Sequence, residues 1–248
     1  MRSPILTIKD GIKVTDSGMR IMDQLNLEIN QGDFITILGG NGAGKSTLFN
    51  SISGNLFLTS GEIIINETVI TQLSEEKRAK FIGRVFQDPK LGTAPRMTVS
   101  ENLLIASLRG KKRGFSLRKL ANKEILFHDL CKTIGNGLEN HLDTPTGDLS
   151  GGQRQALSLL MSTLQKPTLL LLDEHTAALD PKTAKHLMTL TNNIIEENHL
   201  TCLMITHRME DALKYGNRLL VLEQGKIKKD FNQQEKEKLT MSDVLSFF

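Results

Sequence analysis

Eight consecutive residues, Gly39-Gly40-Asn41-Gly42-Ala43-Gly44-Lys45-Ser46, fit the pattern G-x-x-x-x-G-K-[ST], and Thr47 follows. Glycines at this spacing let the backbone turn so that successive N–H groups face one anion. Lys45 then reaches the β- and γ-phosphates of a nucleotide, and the Ser46 hydroxyl meets Mg2+. A chance match in a chain of this length is on the order of 1%, with glycine near 7% of residues. A second constellation is Leu169-Leu170-Leu171-Leu172-Asp173-Glu174. An apolar run ending in paired acids reads as a buried strand delivering carboxylates to the sheet edge where open α/β folds bind ligands. Asp173 is there to hold Mg2+, directly or through water, and Glu174 to polarise the attacking water as a general base. His207 follows the apolar run Cys202–Thr206, reaches the same edge and is placed to sense a γ-phosphate. Gln87, in Val85-Phe86-Gln87-Asp88-Pro89, leaves another strand.

Leu149-Ser150-Gly151-Gly152-Gln153 runs into the helical segment Arg154-Gln155-Ala156-Leu157. A serine and two glycines opening a helix make a second anion-binding end. Two such ends for one nucleotide predict a head-to-tail pair of chains, each closing the other's site in an isologous arrangement.

The elements that must carry these residues follow from the apolar pattern. Ile5–Lys9 and Leu25–Asn30 alternate as strands, Phe34–Leu38 is a short apolar strand, and Gly61–Asn66 is a β-branched one. Ser46–Ser53 reads as a helix stopped by Gly54-Asn55. From Val99 to about Ile134 the pattern is helical, with Ser100-Glu101-Asn102 as its start. The last hundred residues alternate strand and helix: Leu169–Leu172, a helix from about Pro181, Cys202–Thr206, a helix from about Met209, and Leu219–Leu222. That alternation predicts a parallel sheet with crossover helices, so the fold class is α/β.

Composition narrows the function further. The 248 residues carry 31 Lys+Arg against 28 Asp+Glu, a net charge of +3, which is too small to argue for nucleic acid. With ten Phe, one Tyr and no Trp, the chain lacks base-stacking platforms and interfacial aromatic belts. Cys131 and Cys202 have no metal or redox spacing and read as reduced thiols. Neither a signal-peptide stretch nor a spanning apolar run is evident, which predicts a soluble intracellular protein. The basic segment Arg109–Lys119 reads as a solvated face, or as a contact for a membrane partner or anionic headgroups. Ser242–Phe248 reads as a short capped helix packing on its own domain.

Taken together, the chain resembles the ATP-binding cassette (ABC) ATPases over nearly its whole length. The matching positions are Gly39–Thr47, Gln87, Leu149–Gln153, Asp173-Glu174, the Asp180 of Ala177-Ala178-Leu179-Asp180, and His207. The resemblance implies a P-loop NTPase core with an N-terminal antiparallel β subdomain and an inserted α-helical subdomain. On that reading residues 1–248 are one domain, with about 1–86 and 168–248 forming the core and about 87–167 the helical insert. It implies catalytic roles for Glu174, His207 and Lys45, and metal contacts from Ser46, Gln87 and Asp173. Nucleotide contacts are implied for Gly39, Gly40, Asn41, Gly42, Ala43, Gly44, Lys45, Ser46, Thr47, Ser150, Gly151, Gly152, Gln153 and Asp180. ATP and Mg2+ are the implied cofactors, and Gln87 would relay nucleotide state to a membrane partner docked on the helical insert.

One departure is Thr15, where such domains usually carry an aromatic that stacks on adenine. The stretches Gln87–Thr93 and Asp173–Asp180 resemble a bacterial importer subgroup that works with a permease and a substrate-binding lipoprotein, often for amino-acid-like solutes. The expected protein is therefore a homodimeric ATPase subunit, peripheral on the cytoplasmic face of the membrane. Its alternatives are the ATPase of a two-component exporter and a soluble non-transport cassette ATPase; intact Glu174, His207 and Ser150 argue against a catalytically dead regulatory cassette.

Overall fold

The structure is a computed structural model and describes residues 4–111, 120 and 123–247. In the first third, β1 (Leu6–Val14) and β2 (Arg20–Ile29) pair antiparallel, while β3 (Phe34–Leu38) leaves for a second sheet and is followed by α1 (Lys45–Ser53). The chain then returns through β4 (Ser60–Ile65), antiparallel to β1, and β5 (Thr68–Val69), giving the order β2-β1-β4-β5. Period-two alternation puts Leu6, Ile8, Leu25, Leu27, Ile29, Ile63 and Ile65 into one buried cluster with Leu48, Phe49 and Ile52 of α1.

Beyond α2 (Glu75–Arg78) come β6 (Ile82–Val85), α3 (Val99–Ala106), α4 (Glu124–Ile134) and α5 (Gly151–Thr163). The rest alternates β7 (Leu169–Asp173), α6 (Pro181–Glu197), β8 (Cys202–Ile205), α7 (Met209–Lys214) and β9 (Arg218–Glu223), and ends with β10 (Lys226–Phe231), α8 (Gln233–Lys236) and α9 (Met241–Leu245). Among the described residues the second sheet has the order β10-β9-β3-β8-β7-β6. Its strands β9 through β6 are parallel and only β10 runs antiparallel, on the β9 edge. Parallel strands are covered on both faces, so β3 and β8 are buried along their whole length, as are the four leucines of β7. No described helix is long and apolar enough to cross a membrane.

Three expectations are corrected. The helix placed at Ser100 begins earlier: Thr98 caps it, accepting from the Glu101 N–H while the Glu101 carboxylate accepts from the Thr98 N–H. The helical stretch to Ile134 is two helices, because the chain turns after Ala106 and Arg109 is drawn inward. Its guanidinium donates to the Ser162 and Gln165 carbonyls near the end of α5, so Arg109 belongs to neither a solvated nor a membrane-facing surface. Lys111 is exposed, and residues 112–119 of that segment lie outside the described residues. Strand β10 went unanticipated, since its side chains are mostly exposed and leave no apolar alternation to read. A two-residue turn forms it: Gln224 and Gly225 both have positive φ, 48° and 76°, and Glu223 pairs with Lys226. The C-terminal helix is capped by Thr240 and packs inward, with Val244 buried and Phe247 stacked 5.6 Å from Phe231.

Buried cations brace the elements around the site. Arg78, fully buried, donates to the carbonyls of Ser51, Ile52, Thr71 and Leu73, which satisfies the C-terminal end of α1. Both cysteines are buried and free, and burial pushes the Cys131 thiol up to about 12. Iodoacetamide at pH 8 is therefore expected to leave both thiols unmodified in the folded chain and to label both in guanidinium, as read by intact mass. Because Cys131 ionises less readily folded than unfolded, its contribution to stability is complete below about pH 9 and is lost as pH rises towards about 12.

Candidate nucleotide site

Strand β3 ends at Leu38 in the middle of the sheet, and the loop Gly39–Gly44 carries the chain into α1. Gly44 caps the helix at φ 99° with no side-chain cap, which leaves the first N–H groups of α1 open to an anion. A Cβ on Gly44 would stand 2.9 Å from the Ile21 carbonyl oxygen, so both its left-handed backbone and its closeness to β2 demand glycine. Lys45 is buried and lies back over the loop, its Nζ donating to the carbonyls of Gly39 at 2.5 Å and Gly40 at 3.1 Å. Burial lowers its pKa, and the nearby Glu174 and Asp173 charges partly offset that. An ammonium whose acceptors are loop carbonyls has exchangeable partners, and phosphate oxygens offer stronger, charge-assisted ones.

Across the sheet edge, β7 delivers Asp173 and Glu174. The Glu174 N–H donates to the Ile205 carbonyl at 3.1 Å, and its backbone is left-handed at φ 46°. A non-glycine residue held there marks a constrained site. Asp173 pairs with Ile205 in the parallel register of β7 and β8, and this alignment brings His207 to Glu174, with Nε2 2.5 Å from Oε1. His207 is half exposed and Glu174 nearly buried, so the pair faces outward from the strand ends. Lys45, Asp173, Glu174 and His207 thus converge on one edge. The exposed Ser46 stands beside Lys45 on the first turn of α1. A cation-lined loop facing two carboxylates and a hydroxyl is a donor and acceptor set that fits a nucleoside triphosphate with Mg2+.

Other sequence-predicted residues make no hydrogen bond or ion pair to this group among the described residues. Gln87 is exposed beyond β6 and makes no side-chain hydrogen bond among the described residues. Ser150 caps α5, accepting from the Gln153 N–H at 3.3 Å while the Gln153 amide oxygen accepts from the Ser150 N–H at 3.2 Å. Among the described residues no hydrogen bond or ion pair joins Leu149–Gln153 to the phosphate loop of the same chain. The start of α5 packs instead on α6, where a Cβ on Gly152 would come within 2.6 Å of the Thr183 methyl. Asp180 is the cap of α6, accepting from the Lys182 and Thr183 N–H groups at 3.1 Å, and hydrogen bonding from the Thr183 side chain, with these backbone bonds, holds its carboxyl below the usual range. Thr15 spends its hydroxyl within the β1–β2 turn, on Ser17 and on the Met19 N–H, and offers no ring.

Sequence reasoning passed over three residues. Arg84 on β6 pairs with Asp173 at 2.8 Å. His175, buried beside Glu174, bonds the Thr191 hydroxyl at 3.0 Å and ties the loop to α6; burial drops its pKa to about 4, so it stays neutral. Arg154 donates to the Thr146 and Gly147 carbonyls and shapes the approach to Ser150. None of the three has a spacing signal, because each acts on a partner distant in sequence or on carbonyl oxygens.

A family model described as ABC transporter matches residues 22–177. The chain belongs to the ABC transporter family. This cassette ATPase is 48% identical over 229 residues to a tyrosine transport ATP-binding protein of Clostridioides difficile, covering 92% of this chain and 90% of that one. It is 36% identical to the phosphonates import ATP-binding protein PhnC of Lactococcus lactis, over 94% and 95% of the two chains. Among solved structures it resembles the ATP-binding cassette MJ0796 in a dimeric post-hydrolysis state with ADP and Pi (TM-score 0.78, 28% identity, 92% and 98% coverage). It also resembles the ADP conformation of the cassette MJ1267 (TM-score 0.80, 25% identity, 98% coverage of both chains). The family and these matches make the chain an ATPase and the ATP-binding subunit of an importer-type transporter.

Proposed function

We propose that two copies of this chain sandwich two ATP molecules and power a membrane importer of a small amino-acid-like solute. The observation that carries the pairing is the separation, within one chain, of two helix starts suited to phosphate: the open N-terminus of α1 and the Ser150-capped start of α5. Each nucleotide lies between the Gly39–Thr47 loop of one copy and Ser150–Gln153 of the other, with Asp180 beside the shared face. Only the closed pair presents both ends, and that differential affinity is what allows ATP to drive closure. Lys45 would neutralise the β- and γ-phosphates, and Ser46, Asp173 and Gln87 would hold Mg2+. When bound, the metal offsets the charge developing on the phosphates. Glu174 takes a proton from the attacking water, and His207, bonded to it, orients that carboxylate and faces the γ-phosphate.

The solute class is supported by the tyrosine transport relative and by the importer-like stretches Gln87–Thr93 and Asp173–Asp180. Partners on this reading are permease subunits and a substrate-binding lipoprotein, with the chain peripheral on the cytoplasmic face. Residues of about 87–167 form the helical unit that meets the permease, and about 1–86 with 168–248 the nucleotide-binding unit. ATP hydrolysis by the purified chain is expected to rise faster than linearly with protein concentration, because the active species is the pair. Activity strictly proportional to protein down to nanomolar concentration, in a chain that sediments as a monomer, would contradict the shared site.

A further inference from the structure

Asp173 does not stand alone at the strand end. Arg84, on the neighbouring parallel strand β6, places its Nη2 2.8 Å from Asp173 Oδ2, and both side chains are largely buried. The same guanidinium donates from Nη1 to Asn50 Oδ1 at 2.8 Å and to Ser53 Oγ at 3.2 Å, both on α1. Its remaining face lies over the Phe86 ring, 4.6 Å from the centroid, next to Gln87 in the chain. Ser162 of α5 donates to the Arg84 carbonyl at 2.8 Å, so the backbone beneath it is held too. One planar fork therefore spans the helix that follows the phosphate loop, the acid at the end of β7, and the residue preceding Gln87. Asp173 Oδ1 makes no hydrogen bond among the described residues.

We propose that Arg84 is the positioning residue for Asp173, turning its carboxylate so that Oδ1 faces the metal–nucleotide complex. The inference rests on Asp173 meeting Mg2+, as read above. A carboxylate at a strand end rotates about its last bond and presents either oxygen; a bond to Oδ2 from a guanidinium itself tethered to Asn50 and Ser53 fixes that torsion. The tether also ties the orientation of Asp173 to α1, the helix that follows the phosphate loop. Residues that orient metal ligands in this way typically change metal affinity 10–100-fold when removed. Lysine cannot substitute, since a single ammonium does not reach Asp173 and Asn50 in one plane.

The test compares wild type with Arg84→Met, Arg84→Lys, Asp173→Asn and the Arg84→Met/Asp173→Asn double variant. Two quantities are read: the affinity of a fluorescent ATP analogue in EDTA, and the Mn2+ affinity of protein carrying one equivalent of a non-hydrolysable ATP analogue, from the EPR signal of free Mn2+. Arg84→Met is expected to keep metal-free nucleotide affinity within about twofold and to lose about tenfold in Mn2+ affinity. Arg84→Lys is expected to lose several-fold, and it carries the comparison if Arg84→Met does not fold. In the Asp173→Asn background the Arg84 change is expected to cost nothing more, because Arg84 acts through that carboxylate. Wild-type Mn2+ affinity in folded Arg84 variants, with Asp173→Asn weakened, overturns the inference alone, and so does a full additive loss in the double variant. Wild-type Mn2+ affinity in Asp173→Asn refutes Asp173 as a ligand, and with it the role given to Arg84.

Discussion

The Glu174→Gln chain is expected to bind ATP like wild type and to hydrolyse it about 10²–10⁴-fold more slowly, the range typical for loss of a general base. The amide has the shape of the carboxylate and still offers an oxygen to His207, which stands 2.5 Å from Glu174 Oε1, so the site keeps its geometry while losing its basicity. The backbone around it is also insensitive to the change, since the left-handed φ of 46° is held by the Ile205 carbonyl rather than by the side chain. Without turnover the closed pair has no route to reopen, so dimer is expected to accumulate with ATP on gel filtration. Single-turnover assays with labelled ATP read the rate directly. Wild-type turnover in this variant would remove Glu174 from the role of base.

The second large effect is on affinity. Lys45→Ala is expected to weaken ATP binding by about 10²-fold or more, because it removes bonds to two phosphates at about 1.5–3 kcal/mol each. Lys45 is spent on the Gly39 and Gly40 carbonyls, neutral acceptors that phosphate oxygens outcompete. Its loss also removes one cation beside the Asp173 and Glu174 charges that face the triphosphate, which adds repulsion to the lost bonds. Equilibrium titration with a fluorescent ATP analogue checks this, and unchanged affinity would contradict the phosphate-loop assignment. The fold should tolerate the substitution, since Lys45 caps no helix end and pairs with no acid directly.

The residues of these two predictions, and most of the fold that carries them, were legible in the amino-acid sequence for a physical reason. A phosphate cradle needs glycines, a lysine and a hydroxyl in fixed succession, because one short turn of backbone must supply all the donors. A buried parallel strand needs an unbroken apolar run, and its end must fall at the ligand edge, so Leu169–Glu174 announces both the strand and the acids. Strand β3 and the helices from Pro181 and Met209 were readable because period and capping are local properties.

What depended on partners far along the chain was decided only by the tertiary structure. The Arg84–Asp173 pair spans two strands whose adjacency is set by sheet order, which no local pattern encodes. Arg109 looked like part of a solvated basic run because its composition is basic; two carbonyls near the end of α5 made it a half-buried brace. Strand β10 exists because β9 offers an edge and a two-residue turn aims at it, although its own side chains face mostly outward. The meeting of Glu174 with His207 follows from the register of β7 on β8, which aligns Asp173 with Ile205. The sequence by itself determined which chemical groups this protein carries and on which elements they ride, since those choices are local. Which of them meet was decided by strand order and register, because they are set by the burial of both sheet faces at once.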